Sequence, residues 1–202
     1  MYKRQLLYRS PLGETIGNEG LGYYSTASNL YTILLLISSY SIPMAVSKIV
    51  SERLALKEYR NAHRVFHGAL IYAVIVGGIA ALVAFFGGKF LLPYNQQNAL
   101  LALRVLAPTI FFSAVLGVLR GYFQAHSTMM PTSISQIIEQ VFNAAFSIGA
   151  AWFFIQQFAT NDTEHAKFGA AGGTLGTGAG VLAGLCFMPV SYTHLTLPTN
   201  SR

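Results

Sequence analysis

The chain has 202 residues, of which 53% are hydrophobic and only 10% are charged, and its mean hydropathy is +0.47. Soluble domains average about 25% charged residues, so the composition excludes an ordinary soluble domain. Asp, Glu, Lys and Arg are absent from residues 20–47, 65–88 and 168–201. Each interval exceeds the roughly 20 helical residues that cross a bilayer. We therefore predict an all-α fold, a polytopic membrane helix bundle.

The formal net charge of +6 does not by itself indicate a nucleic-acid partner. Residues 1–5 and 191–202 resemble tails on unrelated proteins in which sequencing-adapter DNA has been translated, and we expect both to be non-native. Without these tails the chain has ten basic and seven acidic residues, a net charge of +3. We therefore expect residues 6–190 to be a fragment of a longer membrane protein that does not bind nucleic acid.

Five membrane spans are predicted in chain order. Residues 6–25 hold four glycines and a proline and are predicted to be a loop. The first span, residues 26–47, contains Pro43 and several polar side chains including Asn29, so one of its faces should meet other helices or a cavity. Residues 48–66 combine five basic and two acidic residues with an apolar side, which predicts an amphipathic helix at the membrane interface. The other spans are predicted at residues 67–87, 99–119, 131–158 and 168–190.

Basic residues are distributed unequally between alternate loops. Residues 48–66 and the loop that begins at Arg120 together hold six, whereas the alternate loops hold three, namely Arg9, Lys89 and Lys167. By the positive-inside rule the 48–66 segment is predicted to be cytoplasmic. A specific site for lipid phosphates in the same segment is an alternative interpretation of this cluster.

The last span carries a stripe of glycines at every fourth position. These are Gly172, Gly176, Gly180 and Gly184. Residues four apart lie on one helix face, so the stripe predicts close packing against another helix backbone. Close passage of a substrate along the stripe is the alternative.

The sequence lacks the patterns expected of an enzyme. It has a single cysteine, Cys186, and scattered histidines; His63 and His67 could share a helix face, but no acid or cysteine joins them at ligand spacing. No phosphate-binding loop of the ATPase type occurs. We therefore expect no enzyme activity, no cofactor and no metal site, and any transport would use an ion gradient, the membrane potential or downhill flux.

Polar groups at membrane depth are the candidate functional residues. Arg104 lies inside the third span, where it could face a cavity or extend to the interface. Glu139, with Gln136 nearby, lies in the fourth span, where a carboxylate is costly unless it faces protein or water. Structural and transport roles are both open for Glu139. Asn29 adds uncharged polarity, and Arg9 precedes the first complete span.

Three segments in order resemble a known family: LYRSPLGETIGNEGLGYYS, IPMAVSKIVSERLALKEYRNAHRVF and LRGYFQAHSTMMPTSISQIIEQ. They are similar to the polysaccharide-biosynthesis and lipid II flippase branch of the MATE-like (MOP) transporters, which includes MurJ-like and stage V sporulation B-like proteins. The resemblance implies two pseudo-symmetric lobes around a central cavity. This chain would supply the end of helix 1 and helices 2 to 6, and the second lobe would be missing.

The resemblance also implies site residues. Cavity arginines of the family are thought to meet a pyrophosphate; Arg9 falls in the matching LYR segment, Lys48 in the SK pair and Glu139 in SQIIEQ. Relatives often carry an arginine a few residues after that glutamate, where this chain has Asn143. Glu139 therefore needs another partner, and Arg120 or a residue of another helix are candidates.

The resemblance implies a flippase for a lipid-linked oligosaccharide, such as the peptidoglycan precursor lipid II or a related polysaccharide precursor, in the bacterial cytoplasmic membrane. Its expected partners are membrane lipids, the lipid-linked sugar pyrophosphate and the second lobe. Alternatives are a cation-coupled multidrug exporter of the same fold and a non-transporting scaffold in cell-wall assembly. An exporter predicts acids clustered in the cavity, whereas Glu139 is the only acid within the predicted spans. A scaffold predicts that removing the charges of Arg104 and Glu139 leaves function intact.

Overall fold

The computed structural model describes residues 2–38, 41–126, 129–159 and 161–196, and this part of the chain is helical and contains no strand. The all-α prediction is confirmed. The elements in chain order are α1 (Tyr2–Ser38), α2 (Ile42–Ala55), α3 (Tyr59–Leu91), a 3-10 helix (Tyr94–Ala99), α4 (Leu100–Ala125), α5 (Met130–Phe158) and α6 (Asp162–Thr196).

Five helical stretches of the described chain are long and apolar enough to cross a membrane, which confirms a polytopic membrane bundle. They are Leu12–Ala55, Tyr59–Leu91, Tyr94–Ala125, Met130–Phe158 and Thr163–Met188. Each overlaps one of the five predicted spans. The first span is interrupted, however, because α1 ends at Ser38 and α2 begins at Ile42, with Pro43 in its first turn. Proline suits this position, where its missing N–H leaves no helical bond unmade.

The prediction of a loop over residues 6–25 is wrong, because this segment lies inside α1. Gly17 interrupts the helical geometry with φ 73° and ψ 173°, so α1 is kinked there. Gly20 is buried, and a Cβ added to it would lie 3.2 Å from the Ala166 carbonyl oxygen of α6. One glycine therefore permits the kink and another permits close packing of two helices.

The predicted single amphipathic helix over residues 48–66 is also wrong, because a turn divides it between α2 and α3. Lys57 has φ 58°, and its N–H donates to the Leu54 carbonyl over 3.0 Å. The N–H of Glu58 donates to the Arg53 carbonyl over 2.9 Å. These two bonds form a Schellman motif that ends α2. An ion pair of 3.0 Å between Arg53 Nη1 and Glu58 Oε2 spans the same turn.

The bundle has two ends, which we name by the helices that meet there. At the α3–α4 end, where α5 also meets α6, Leu12, Ile16 and Leu103 belong to one buried cluster. At the α4–α5 end, where α2 also meets α3, Val50 and Val118 belong to another. In the predicted orientation the α4–α5 end is cytoplasmic.

Candidate functional site

A half-open cavity of about 290 Å³ lies towards the α4–α5 end, lined by α1, α2, α4 and α5. Its lining combines charged, amide and hydroxyl groups with apolar walls. The lining residues are Tyr31, Leu35, Pro43, Ser113, Leu116, Gly117, Arg120, Gln124, Gln136 and Glu139.

Two glycines of α4 bring α2 against the cavity. A Cβ added at Gly121 would lie 2.6 Å from the Pro43 carbonyl oxygen, and one at Gly117 would lie 3.2 Å from Pro43 Cγ. These two glycines are one turn apart on the same face of α4. The start of α2 therefore approaches the α4 backbone closely, and Pro43 forms one wall of the cavity.

An ion pair joins α4 to α5 at the cavity wall. Arg120 Nη2 lies 2.6 Å from Glu139 Oε2 and donates to Ser135 Oγ over 2.9 Å. The side chains of Arg120 and Glu139 are only 17% and 21% exposed. Since Ser135 and Glu139 are four residues apart, they lie on one face of α5 and hold the guanidinium together. The pair is short and charge-assisted, which makes it stronger than a neutral hydrogen bond.

Helix α6 packs beside this ion pair. The glycine stripe lies along α5: a Cβ added at Gly172 would lie 2.6 Å from Ala150 O, and one at Gly176 would overlap Ser147. At Gly180 it would lie 2.5 Å from Glu139 O, and at Gly184 it would lie 3.6 Å from Arg120 Nη2. The absence of side chains on the stripe lets the α6 backbone exclude solvent beside the pair.

The cavity brings together two of the six predicted substrate-binding candidates, Gln136 and Glu139. Asn29 and Lys48 are exposed and do not line it. Arg104 is exposed near the α3–α4 end, where its Cζ lies 5.7 Å from the centroid of the Phe85 ring. The side chain of Arg9 lies outside the described part of the structure.

Of the two partners that the sequence left open for Glu139, the structure pairs it with Arg120. Asn143, at the position where relatives often carry arginine, lies instead at the contact between α5 and α6. Its Oδ1 lies 3.0 Å from Ser147 Oγ, and its backbone oxygen faces Gly176. The departure at Asn143 therefore does not leave the glutamate unpaired.

Several lining residues carried no signal in the sequence. Tyr31 and Ser113 line the cavity and lie 3.0 Å apart through their hydroxyl oxygens, although 82 positions separate them in the chain. Arg120, in contrast, was one of the partners left open for Glu139, and the short link between α4 and α5 brings the two residues within reach of each other. Arg120 lies five residues before the end of α4, and Glu139 lies nine residues after the start of α5.

Comparison with known proteins places the chain in a family. The family model described as polysaccharide biosynthesis protein matches residues 2–193. The chain belongs to this family. The match includes α1 to α5 and nearly all of α6, and therefore every element around the cavity.

The sequence identity to individual relatives is low. The chain is 27% identical over 192 residues to stage V sporulation protein B of Bacillus subtilis (strain 168), covering 92% of this chain and 35% of that protein. It is 24% identical over 163 residues to lipid II flippase MurJ of the same organism, covering 76% of this chain and 30% of the relative. A third relative, the uncharacterized membrane protein YabM, is 24% identical over 183 residues, with 90% and 33% covered. The chain thus spans about a third of the length of these relatives, and no solved structure matches it.

Proposed function

We propose that this chain is part of a flippase that moves a lipid-linked polysaccharide precursor across the bacterial cytoplasmic membrane. The observation that carries the proposal is a polar cavity with a partly buried arginine, in a membrane bundle of the polysaccharide biosynthesis family. The name of one relative, lipid II flippase, supports the same activity. The peptidoglycan precursor lipid II and related precursors with a pyrophosphate-linked sugar are the proposed substrates.

Arg120 is the proposed ligand for the pyrophosphate. A guanidinium carries five N–H donors in a planar fork that matches phosphate oxygens. The contacts to Glu139 and Ser135 both use Nη2, so Nη1 takes part in neither. The amides of Gln124 and Gln136 line the same cavity and suit the hydroxyl groups of a sugar.

The carboxylate of Glu139 also affects the binding of such a substrate. It orients the guanidinium and also competes with an incoming phosphate for it. Where the phosphate displaces the carboxylate, binding exchanges one anion for another at Arg120, which weakens net affinity and eases release. A transporter needs binding of this kind, since a substrate held too tightly stalls the cycle. Alternating access further requires a second lobe moving against this one.

The test is rescue of a bacterial strain depleted of its lipid II flippase by the complete gene to which this chain belongs. We expect rescue by the unaltered gene and loss of rescue with Arg120→Gln at equal abundance in the membrane. The matched control is Arg60→Gln, which removes an exposed arginine outside the cavity and should still rescue. Transport of lipid II is overturned if the unaltered protein reaches the membrane at normal abundance and fails to rescue, and the role of Arg120 is overturned if Arg120→Gln rescues fully.

A cation-coupled exporter is the second candidate, because a carboxylate, Glu139, lines the cavity and could carry a coupling proton. The 2.6 Å contact with Arg120 opposes this role, since the carboxylate is already held by a guanidinium. Efflux of a cationic dye driven by a proton gradient, abolished by Glu139→Gln and unaffected by the exposed-site control Glu52→Gln, would establish the exporter. If the protein rescues the depleted strain and shows no such efflux, the exporter is excluded and the flippase is supported.

A further inference from the structure

Arg104 lies apart from the cavity and has an environment of its own. It is the fifth residue of α4 and is exposed near the α3–α4 end. Its guanidinium lies over Phe85 of α3, and within the described part of the chain no carboxylate forms an ion pair with it. An arginine inside a membrane span is costly unless an anion, water or a carbonyl compensates the charge. An anionic occupant from outside the bundle would supply this compensation.

An open apolar groove of about 300 Å³ adjoins this arginine between α3 and α4. Phe85 belongs both to the groove and to the contact with Arg104. Pro108, also in the lining, is four residues beyond Arg104 and hence on the same helix face. The groove continues to Gly78, seven residues before Phe85, which corresponds to about 10 Å along α3 towards the middle of the membrane.

Pro108 leaves the backbone carbonyl of Arg104 without its helical donor at the head of the groove. Proline has no N–H, so it cannot donate the helical hydrogen bond that the Arg104 carbonyl would otherwise accept. A guanidinium donor and a carbonyl acceptor thus belong to the same residue. Below them the groove wall is apolar, with Leu82 and Phe111 among its lining residues.

We propose that Arg104 and this groove form a binding site for an anionic phospholipid of the surrounding bilayer. The lipid phosphate pairs with the guanidinium, a headgroup hydroxyl donates to the Arg104 carbonyl, and one acyl chain fills the groove as far as Gly78. Phosphatidylglycerol meets all three requirements. Phosphatidylcholine does not, because its quaternary ammonium has no N–H to donate and its positive charge is repelled by Arg104. The site is independent of the proposed transport activity.

The headgroup contact is tested by native mass spectrometry of the purified protein titrated with phosphatidylglycerol or with phosphatidylcholine. A basic residue near anionic lipid contributes about 1 kcal/mol, so Arg104→Gln should weaken phosphatidylglycerol binding about fivefold and leave phosphatidylcholine binding unchanged. The matched control is Lys167→Gln, which removes a cation over Phe168 at the same end of the bundle. An equal loss in both variants, or no loss in Arg104→Gln, overturns the proposal.

The groove contact is tested separately with glycine variants of α3. A Cβ added at Gly78 or at Gly68 meets no atom within 4 Å, so a side chain at either position begins in open space. Gly78→Leu fills the groove and should weaken binding of phosphatidylglycerol at least as much as Arg104→Gln does. Gly68→Leu, on the same helix but outside the groove lining, should bind like the unaltered protein. Wild-type binding by Gly78→Leu would show that no acyl chain occupies the groove and would overturn the proposal.

Discussion

Removing either charge of the pair between α4 and α5 should destabilise the bundle. Glu139→Gln leaves the Arg120 guanidinium without its counter-charge, and Arg120→Gln does the converse. Each side chain is only about a fifth exposed, at 17% and 21%, and the contact is 2.6 Å long. The remaining charge would therefore be left in a place where water compensates it poorly.

The size of the loss of stability follows from the partial burial of the two side chains. Breaking a fully buried pair by removing one partner costs about 3–5 kcal/mol, whereas an exposed pair contributes under about 1 kcal/mol. We place this pair towards the buried end and expect each single variant to lose about 2–3 kcal/mol. The apolar double variant Arg120→Met/Glu139→Leu leaves no orphan charge and should lie close to the unaltered protein.

The assay is thermal unfolding, in one detergent at neutral pH, of the unaltered protein, the two single variants and Arg120→Gln/Glu139→Gln, which together form a double-mutant cycle. The apolar double variant is measured beside them. For a chain of this size about 1 kcal/mol corresponds to a shift in Tm of roughly 2–4 °C, so each single variant should unfold about 4–12 °C lower. The coupling free energy between the two positions should be about 2 kcal/mol or more. Ser133→Ala, an exposed position on the same helix as Ser135, is the control for changes in α5.

The pairing of Arg120 with Glu139 is refuted if the losses of stability of the two single variants simply add. It is refuted equally if the apolar double variant is less stable than both single variants. The first result would mean that the two charges do not interact in the folded bundle. The second would mean that the polarity of the cavity wall, rather than the pairing, stabilises the contact between α4 and α5.

Two further predictions concern helix packing and the turn after α2. Gly180→Ala should lower stability by about 1–3 kcal/mol in thermal unfolding, because its Cβ would lie 2.5 Å from a backbone oxygen of α5. The control Gly149→Ala, whose Cβ meets no atom within 4 Å, should be neutral or stabilising, and equal losses would contradict the packing interpretation. Hydrogen bonds from Asn61 and Arg53 lower the pKa of Glu58 below its ordinary value of 4.5. Ionised Glu58 therefore contributes stability that is complete above about pH 4.5 and is lost as pH falls through the lowered pKa. Glu58→Gln should remove this part of the acid sensitivity, and an unchanged difference in Tm between pH 7 and acid would contradict it.

The candidate site was only partly predictable from the sequence. Glu139 was detectable because an acid inside an apolar run needs a specific environment. Arg120 was one of two open possibilities for its partner, and the choice depended on how α4 and α5 fold back on each other. Tyr31 could not be found, since its contact with Ser113 joins helices far apart in the chain. Arg104 had the same sequence signal as Glu139, yet the packing of α3 and α4 places it on the exterior.

The wrong prediction of a loop over residues 6–25 has a related cause, because the role of a glycine also depends on contacts between helices. Glycine raises the probability of a loop in water, but between helices it also permits close backbone approach, as Gly20 does against α6. Only Gly17, with its positive φ, departs from the helix in the way that glycine content suggests. Which of the two roles a glycine takes depends on its neighbours in space.

The sequence by itself determined that this is an all-α membrane bundle, because the solvent preference of an uncharged stretch of 20 residues is a local property. The ordered segments also carried the family, since each holds enough residues to be compared without a structure. Only the tertiary structure decided which polar groups share a cavity, that Glu139 pairs with Arg120, and that Arg104 faces outwards. The physical reason is that these facts depend on distances of a few ångströms between different helices, and hydropathy along one helix does not specify them.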